Sequence, residues 1–130
     1  MATRVVFYPK VVDYVLNSPR GPVGRYLRTK GRRIVAAARA QAGFKTGALR
    51  ASIHMRHLRD PRGQYLKIGS SLPYALMHHE GTKPHLIVPK KRSMLRFYSK
   101  KSNQLVFTHL VRHPGTKPNR YLSDNLKLIN

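Results

Sequence analysis

Residues 22–43 read PVGRYLRTKGRRIVAAARAQAG, and this stretch decides the fold. Apolar residues recur in it every three or four positions, which is the spacing of one face of an α-helix. They are Val23, Leu27, Ile34, Val35, Ala38 and Ala42. Gly31 is a weak position within this pattern, and Gly43 is a favourable stop because glycine commonly follows the last helical turn. The sequence therefore predicts a helix over residues 22–43 that offers one face to a core.

The other faces of this helix carry basic residues. Arginines at these spacings are most often solvated, and contact with an anionic partner is the alternative interpretation. The four candidates are Arg25, Arg28, Arg32 and Arg39.

The segment before the helix, residues 1–21, is predicted to be a short apolar stretch followed by a linker. Val11 to Leu16 is mostly apolar, whereas Asn17 to Pro22 is rich in turn residues. The longest apolar run in the chain, Ile34 to Ala38, is far below the roughly 20 residues that span a bilayer. No cleavage site for a secretory leader follows the start. We expect a cytoplasmic chain without a membrane partner.

Beyond the helix, short alternating runs are typical of β-strands. One predicted hairpin turns at Asp60 to Gly63, and a second turns at Ser99 to Asn103. Tyr74 to His79 fits one or two turns of helix, and Arg120 to Ile129 has helical spacing again. The predicted fold class is α+β, with a long N-terminal helix packed on a mixed, mostly antiparallel β-sheet with hairpins and a short C-terminal helix.

The length of 130 residues suits a single domain. Within it we expect an N-terminal segment and linker at 1–21, the helix at 22–43, a β-rich body at 44–118 and the C-terminal helix at 119–130. Apolar residues make up 41% of the chain, which is enough to build a core and argues against a disordered basic tail.

The charge is extreme, because 26 Lys and Arg stand against 4 Asp and Glu, for a formal net charge of +22. Four acids can neutralise only a few cations, so most must face solvent, a polyanion or an acidic protein. Two further clusters are candidates for such contacts: Lys90, Lys91 and Arg92 in one, and Lys100 and Lys101 in the other.

One hexapeptide occurs twice in similar form. His79 to Pro84 reads HEGTKP, and His113 to Pro118 reads HPGTKP. In both copies glycine can supply a positive φ and proline can direct the exit of the turn. Two copies are too few for a repeat architecture. The turns either redirect the chain or present rigid loops to a neighbour.

Catalytic patterns are scarce. Four acids in unlike contexts do not make a converging pair, and no nucleophile elbow or phosphate loop occurs. Absence of Cys removes thiolate chemistry. His78, His79 and His85 suggest a metal-dependent hydrolase, but adjacent helical residues point about 100° apart and the His-Glu-x-x-His spacing is missing. We expect no enzyme activity, no metal and no cofactor.

Several small motifs follow one another in a fixed order along the chain. They begin with Thr-Gly-x-Leu-Arg-x-Ser-Ile at Thr46 to Ile53, followed by Ile68-Gly69 and Pro73-Tyr74-Ala75. The Glu-Gly-Thr-x-Pro loop at Glu80 to Pro84 follows, then the His113 to Pro118 turn and Arg120-Tyr121-Leu122. In this order the motifs resemble those of the neck or tail-completion family of long-tailed bacteriophages. The likeness spans about residues 22 to 128. It departs from the family at Gly43-Phe44-Lys45, where relatives often carry proline.

This resemblance implies a structural virion protein without catalysis, in a homo-oligomeric ring, hexameric to match tail symmetry, at the head-to-tail junction. A head-completion or stopper connector would lie on one side and a tail terminator or tail-tube protein on the other, while double-stranded DNA passes through the lumen without base-specific contact. The ring would assemble in the host cytoplasm. Its interface candidates lie in three loops: Thr46, Gly47, Leu49 and Arg50; Glu80, Gly81, Thr82, Lys83 and Pro84; and Gly115, Thr116, Lys117 and Pro118.

Three other functions remain open. A tail terminator shares the compartment and the ring symmetry. A free nucleic-acid-binding protein, ribosomal or nucleoid-like, would use tyrosines beside cations, as at Arg25-Tyr26 and Arg120-Tyr121, to stack on single strands. The metal-dependent hydrolase requires an ion held by the histidines.

Overall fold

A computed structural model of the chain describes residues 2–130; Met1, the first residue of the predicted N-terminal segment, lies outside this range. The helices are α1 (Pro9–Asn17), α2 (Pro22–Gln41), α3 (Ala48–Ser52) and α4 (Ala75–Glu80). The strands are β1 (His54–Asp60), β2 (Gly63–Gly69), β3 (His85–Ile87), β4 (Leu95–Ser99), β5 (Gln104–Thr108) and β6 (Val111–His113). A 3-10 helix, Ser123–Ile129, follows β6. The predicted α+β class is confirmed.

Helix α2 organises the fold. Pro22 occupies its first turn, where a missing N–H costs nothing, and the Ala42 amide donates to the Ala38 carbonyl at its end. The helix crosses the β1–β2 hairpin at Gly31, where an added Cβ would lie 2.5 Å from Leu66 Cδ1 and 2.9 Å from Met55 Sδ. The weak helix position in the sequence is therefore a close-approach point between helix and hairpin.

The core is small. It joins the C-terminal half of α2 to α3, α4 and the segment before the 3-10 helix, with Tyr121 only 1% exposed at its centre. Its buried members are Ala38, Ala42, Leu49, Ile53, Ala75 and Tyr121. Val35, Ile68, Leu72 and Leu122 pack against them, half-buried. Many large apolar side chains remain exposed elsewhere on the described surface.

The strands form three separate two-stranded antiparallel sheets, β1–β2, β3–β6 and β4–β5. The predicted antiparallel pairing is confirmed, and residues 2–130 contain no parallel pair that would make a sheet mixed. A parallel pair needs a crossover of a dozen or more residues, usually helical, whereas the only helix between strands, α4, has six residues. Both predicted hairpins are present.

Three helical details differ from expectation. The apolar segment before α2 is itself the helix α1, and Ala48–Ser52 forms the short helix α3 inside the predicted β-rich body. The predicted short C-terminal helix is present, but it begins at Ser123 instead of residue 119 and has 3-10 geometry. No helix within residues 2–130 has the length and apolar character required to cross a membrane.

Candidate functional site

The two Gly-Thr-Lys-Pro turns pair with each other. The Thr82 amide donates to the Thr116 carbonyl at 3.1 Å, and the Thr116 amide donates to the Thr82 carbonyl at 3.0 Å. Their hydroxyls lie 3.1 Å apart and share a further hydrogen bond. The sequence echo is thus a self-complementary antiparallel bridge, a pairing that sequence reasoning missed.

The bridge continues the register of the short β3–β6 ladder. In that ladder His85 faces His113, and their rings stack with centroids 5.0 Å apart. The same register sets Pro84 opposite Pro114. Since proline has no N–H, the ladder is interrupted there and resumes at the threonines.

Glycine is required on both sides of the bridge. Gly81 and Gly115 have φ of 74° and 86°, in the left-handed region that favours glycine. A Cβ on Gly81 would lie 2.5 Å from the Thr116 carbonyl oxygen, and one on Gly115 would overlap the Thr82 carbonyl oxygen. The paired turns leave the side chains of Lys83 and Lys117 exposed. They therefore form a platform that presents two cations.

The Thr46 to Ile53 segment is used mainly inside the molecule. Leu49 is buried in the core, and Arg50 Nε donates to the Ala42 carbonyl at 2.9 Å. Its guanidinium also lies over the Phe44 ring, 5.0 Å from the centroid. Gly47 has a positive φ at the start of α3. Of this group of predicted interface residues, Thr46 has the exposed side chain.

The arginines of α2 divide into two kinds. Arg39 donates through Nε and Nη2 to the Ile53 carbonyl, at 3.1 and 2.7 Å, and so ties α2 to the start of β1. Arg25 and Arg32 are exposed, and Arg28 is half-buried. Because the hydrogen bonds of Arg39 are internal, Arg25, Arg28 and Arg32 remain the better candidates on this helix for an external anion.

Almost none of the basic charge is neutralised within the described chain. In residues 2–130, Arg59 with Asp13 is the single Lys or Arg ion pair, at 3.3 Å, and both side chains are 60% exposed. No acid occurs between Glu80 and Asp124, whereas ten Lys and Arg do. This acid-free segment contains both paired turns and the β4–β5 hairpin.

The β4–β5 hairpin is the most isolated part of this segment. Its strands make their substantial contacts with each other and not with the helices. Lys90, Lys91 and Arg92 precede β4, and Lys100 and Lys101 lie in the turn; all five are exposed. One face also exposes Tyr98, Leu105 and Phe107, with Tyr98 directly opposite Leu105. The hairpin therefore combines cations with uncovered apolar side chains.

The histidines of the metal hypothesis have other partners. His78 Nε2 accepts the Gly43 amide at 3.2 Å, and His79 Nδ1 lies 2.6 Å from Glu80 Oε1. His85 Nδ1 lies 2.8 Å from the Lys83 carbonyl. Within residues 2–130, no three His, Asp or Glu side chains are grouped so that they could hold a metal ion.

Ser123, His79 and Glu80 form a chain that resembles a hydrolytic triad, because Ser123 Oγ lies 3.3 Å from His79 Nε2. The backbone amides of Asp124 and Asn125, which follow the serine, already donate to the Arg120 and Leu122 carbonyls. They are not free to stabilise an oxyanion at Ser123. We interpret these hydrogen-bonded side chains as a link that holds α4 to the 3-10 helix.

Tyr121 joins these elements at the core. Its ring lies against the rings of both His78 and His79, with centroids 5.8 and 5.4 Å away. Burial raises the pKa of its hydroxyl above the ordinary 10.0. The aromatic residue expected to lead the C-terminal helix is therefore the central packing residue of the fold.

Comparison with family models, with curated proteins and with solved structures finds no match to this chain.

Proposed function

We propose that this chain is a structural subunit of the head-to-tail junction of a long-tailed bacteriophage, a neck or tail-completion ring protein without catalytic activity. The observation that carries the proposal is the acid-free segment between Glu80 and Asp124. Its ten Lys and Arg have no acidic partner within the described chain, and its β4–β5 hairpin stands apart from the core. Such a surface suits an anionic neighbour.

Two further observations support an assembly subunit over a free enzyme. The core is small for 130 residues, and large apolar side chains are exposed in several regions, as is expected for a protein completed by neighbours. The motifs that carry the family resemblance also include the core residues Leu49, Ile53 and Tyr121. In this proposal duplex DNA passes the ring without base readout, and acidic neighbouring rings take many of the cations.

The proposal is tested on virus particles assembled without this protein. Electron microscopy should then reveal DNA-filled heads and separate tails, and supplying the protein should restore joined particles. Joined particles in its absence would contradict the proposal. Complete heads carrying tails of uncontrolled length would instead favour the tail-terminator role.

A free nucleic-acid-binding protein is the second candidate, favoured by the exposed Tyr98 beside Lys100 and Lys101. Stacking on bases would give the isolated monomer tight binding to single strands that falls steeply with salt. Binding of single-stranded DNA by the purified chain, measured by fluorescence anisotropy from about 50 to 200 mM salt, distinguishes the two. Weak binding near physiological salt favours the structural subunit.

A further inference from the structure

The β1–β2 hairpin has two faces of different composition. Its inner face packs on α2 through Met55 and Leu66, which both approach Gly31. Because successive side chains of a strand point to opposite sides, the neighbouring positions point away from the helix. These positions define the outer face of the hairpin, which consists of His54, Arg56, Leu58, Tyr65 and Lys67.

The strand register sets two cations of the outer face directly opposite each other. Arg56 pairs with Lys67 in the antiparallel ladder, and both side chains are exposed. Directly opposite residues of such a ladder have Cα atoms about 4.5–5.5 Å apart. Like charges in this position destabilise a sheet, whereas opposite charges stabilise it. The pair therefore lowers the stability of the hairpin unless an anion lies against it.

The chain itself supplies no such anion. Within residues 2–130, no acidic side chain forms an ion pair with Arg56 or Lys67. The acids that could have done so are each hydrogen-bonded or ion-paired to another residue, and they are Asp13, Asp60, Glu80 and Asp124. The cation pair is therefore open to an anion from outside the molecule.

The rest of the outer face suits phosphate better than an acidic protein. Leu58 is half-buried opposite Tyr65, and Tyr65 is 42% exposed with a hydroxyl that can donate to a phosphate oxygen. The β4–β5 hairpin differs, because it exposes Leu105 and Phe107, which a protein partner would bury. The outer face thus offers hydrogen-bond donors and little uncovered hydrocarbon.

We propose that the outer face of the β1–β2 hairpin contacts the phosphate backbone of duplex DNA, with Arg56 and Lys67 as the paired contact residues. Duplex DNA carries about one negative charge per 1.7 Å of helix axis, so it can neutralise both cations together. Contacts to phosphate read no base, so binding is independent of sequence. The inference rests on the proposed function and deepens it by naming the face that is turned to the DNA.

The stability of the free chain tests the repulsion between the two cations. Arg56→Gln or Lys67→Gln removes the repulsion and should raise the melting temperature by about 2 °C. The double variant should be no more stable than either single variant, because one substitution already removes the interaction. Melting temperatures that do not rise in the single variants would overturn the inference, since the free chain would then hold no unrelieved charge pair.

Binding to DNA should respond in the opposite direction. The probe is a fluorescent duplex of mixed sequence, followed by anisotropy from about 50 to 200 mM salt. The slope of log affinity against log salt should fall by about 1 in each single variant and by about 2 in the double variant. The matched control is Lys45→Gln, which removes one exposed cation from the loop before α3. A loss of slope per substitution no larger than in this control would indicate diffuse attraction and overturn the inference.

Complementation of particles that lack the protein separates DNA from an acidic protein as the partner. The Arg56→Gln/Lys67→Gln variant should still join heads to tails, because this face is turned to the DNA and not to a neighbouring ring. Separate heads and tails with the folded variant would identify a protein contact and overturn the inference, while joining by the wild type would keep the proposed function intact. Joined particles without any of the protein would contradict the proposed function alone, since the binding measurements use the isolated chain.

Discussion

The two β-hairpins of this chain have the same topology but different surroundings. The β1–β2 hairpin lies against α2, with Leu66 and Met55 meeting the helix at Gly31. The β4–β5 hairpin has no comparable support, and it exposes Tyr98, Leu105 and Phe107. An unsupported two-stranded hairpin is marginally stable in water. The comparison separates the packed region around α2, which completes its own core, from a hairpin suited to cover by a neighbour.

The largest expected effect comes from removing a tyrosine on each side of this comparison. Tyr121→Ala empties the centre of the core and should lower the free energy of unfolding by about 3–5 kcal/mol. Tyr98→Ala removes an equally large side chain that is 58% exposed on the hairpin, and it should change stability by less than about 0.5 kcal/mol. Urea unfolding followed by circular dichroism measures both. Similar losses of stability in the two variants would contradict the distinction between the packed core and the exposed hairpin.

The paired turns belong to the packed part of the molecule and not to the exposed β4–β5 hairpin. Gly115→Ala forces a Cβ into a residue at φ 86° and against the Thr82 carbonyl oxygen, so stability should fall by about 2 kcal/mol. Gly69→Ala is the matched control, because a Cβ there has no atom within 4 Å. Thermal melts of the two variants measure this difference in stability. A destabilisation of Gly69→Ala as large as that of Gly115→Ala would mean that the threonine bridge is not special.

The arginines of α2 sharpen the comparison between internal and external charge. Arg39→Ala removes two hydrogen bonds to the Ile53 carbonyl and should cost about 1.5 kcal/mol of stability. Arg32→Ala, at an exposed position, should leave stability within about 0.5 kcal/mol. Chemical unfolding measures the stability of both variants. The salt dependence of duplex DNA binding measures whether each arginine contacts phosphate. Only Arg32→Ala should reduce that salt slope without destabilising the fold.

Alkaline pH has the smallest expected effect on stability, and it acts on the core through Tyr121. Burial raises the pKa of Tyr121 above 10.0, so the folded state holds its proton more tightly than the unfolded state. The resulting stability is fully present below pH 10 and is lost as pH rises through the folded pKa. The stability difference between the wild type and Tyr121→Phe should be constant between about pH 8 and 9 and shrink above 10. A stability difference that stays constant above pH 10 would contradict the raised pKa of Tyr121.

The sequence predicted the fold class, the span of α2 and both hairpins because their signals are local. Helical spacing in residues 22–43 and turn residues at Asp60 to Gly63 and Ser99 to Asn103 each act within one element. The separation of the strands into three sheets was not predictable in the same way. It depends on pairing between residues far apart in the chain, such as Thr82 with Thr116.

The sequence predicted which types of residue form the candidate site. It predicted the role of each individual residue less well. Charge alone selected Arg39 together with Arg32, although the structure places the first on a carbonyl of its own chain. The repeated Gly-Thr-Lys-Pro turns carried a usable signal, since two identical turns can bridge symmetrically. Helical periodicity at Arg120 to Ile129 predicted an element, but not that Tyr121 ahead of it would anchor the core.

The most direct test of the account uses complementation of particles that lack this protein. One sample receives the wild-type chain and the other receives Lys90→Glu/Lys91→Glu/Arg92→Glu, whose substitutions lie outside the packed region around α2 and should leave the melting temperature unchanged. We expect the wild type to restore joined heads and tails in electron micrographs and the charge-reversed variant to leave them apart. Equal restoration by a folded variant would contradict a junction role for the basic hairpin.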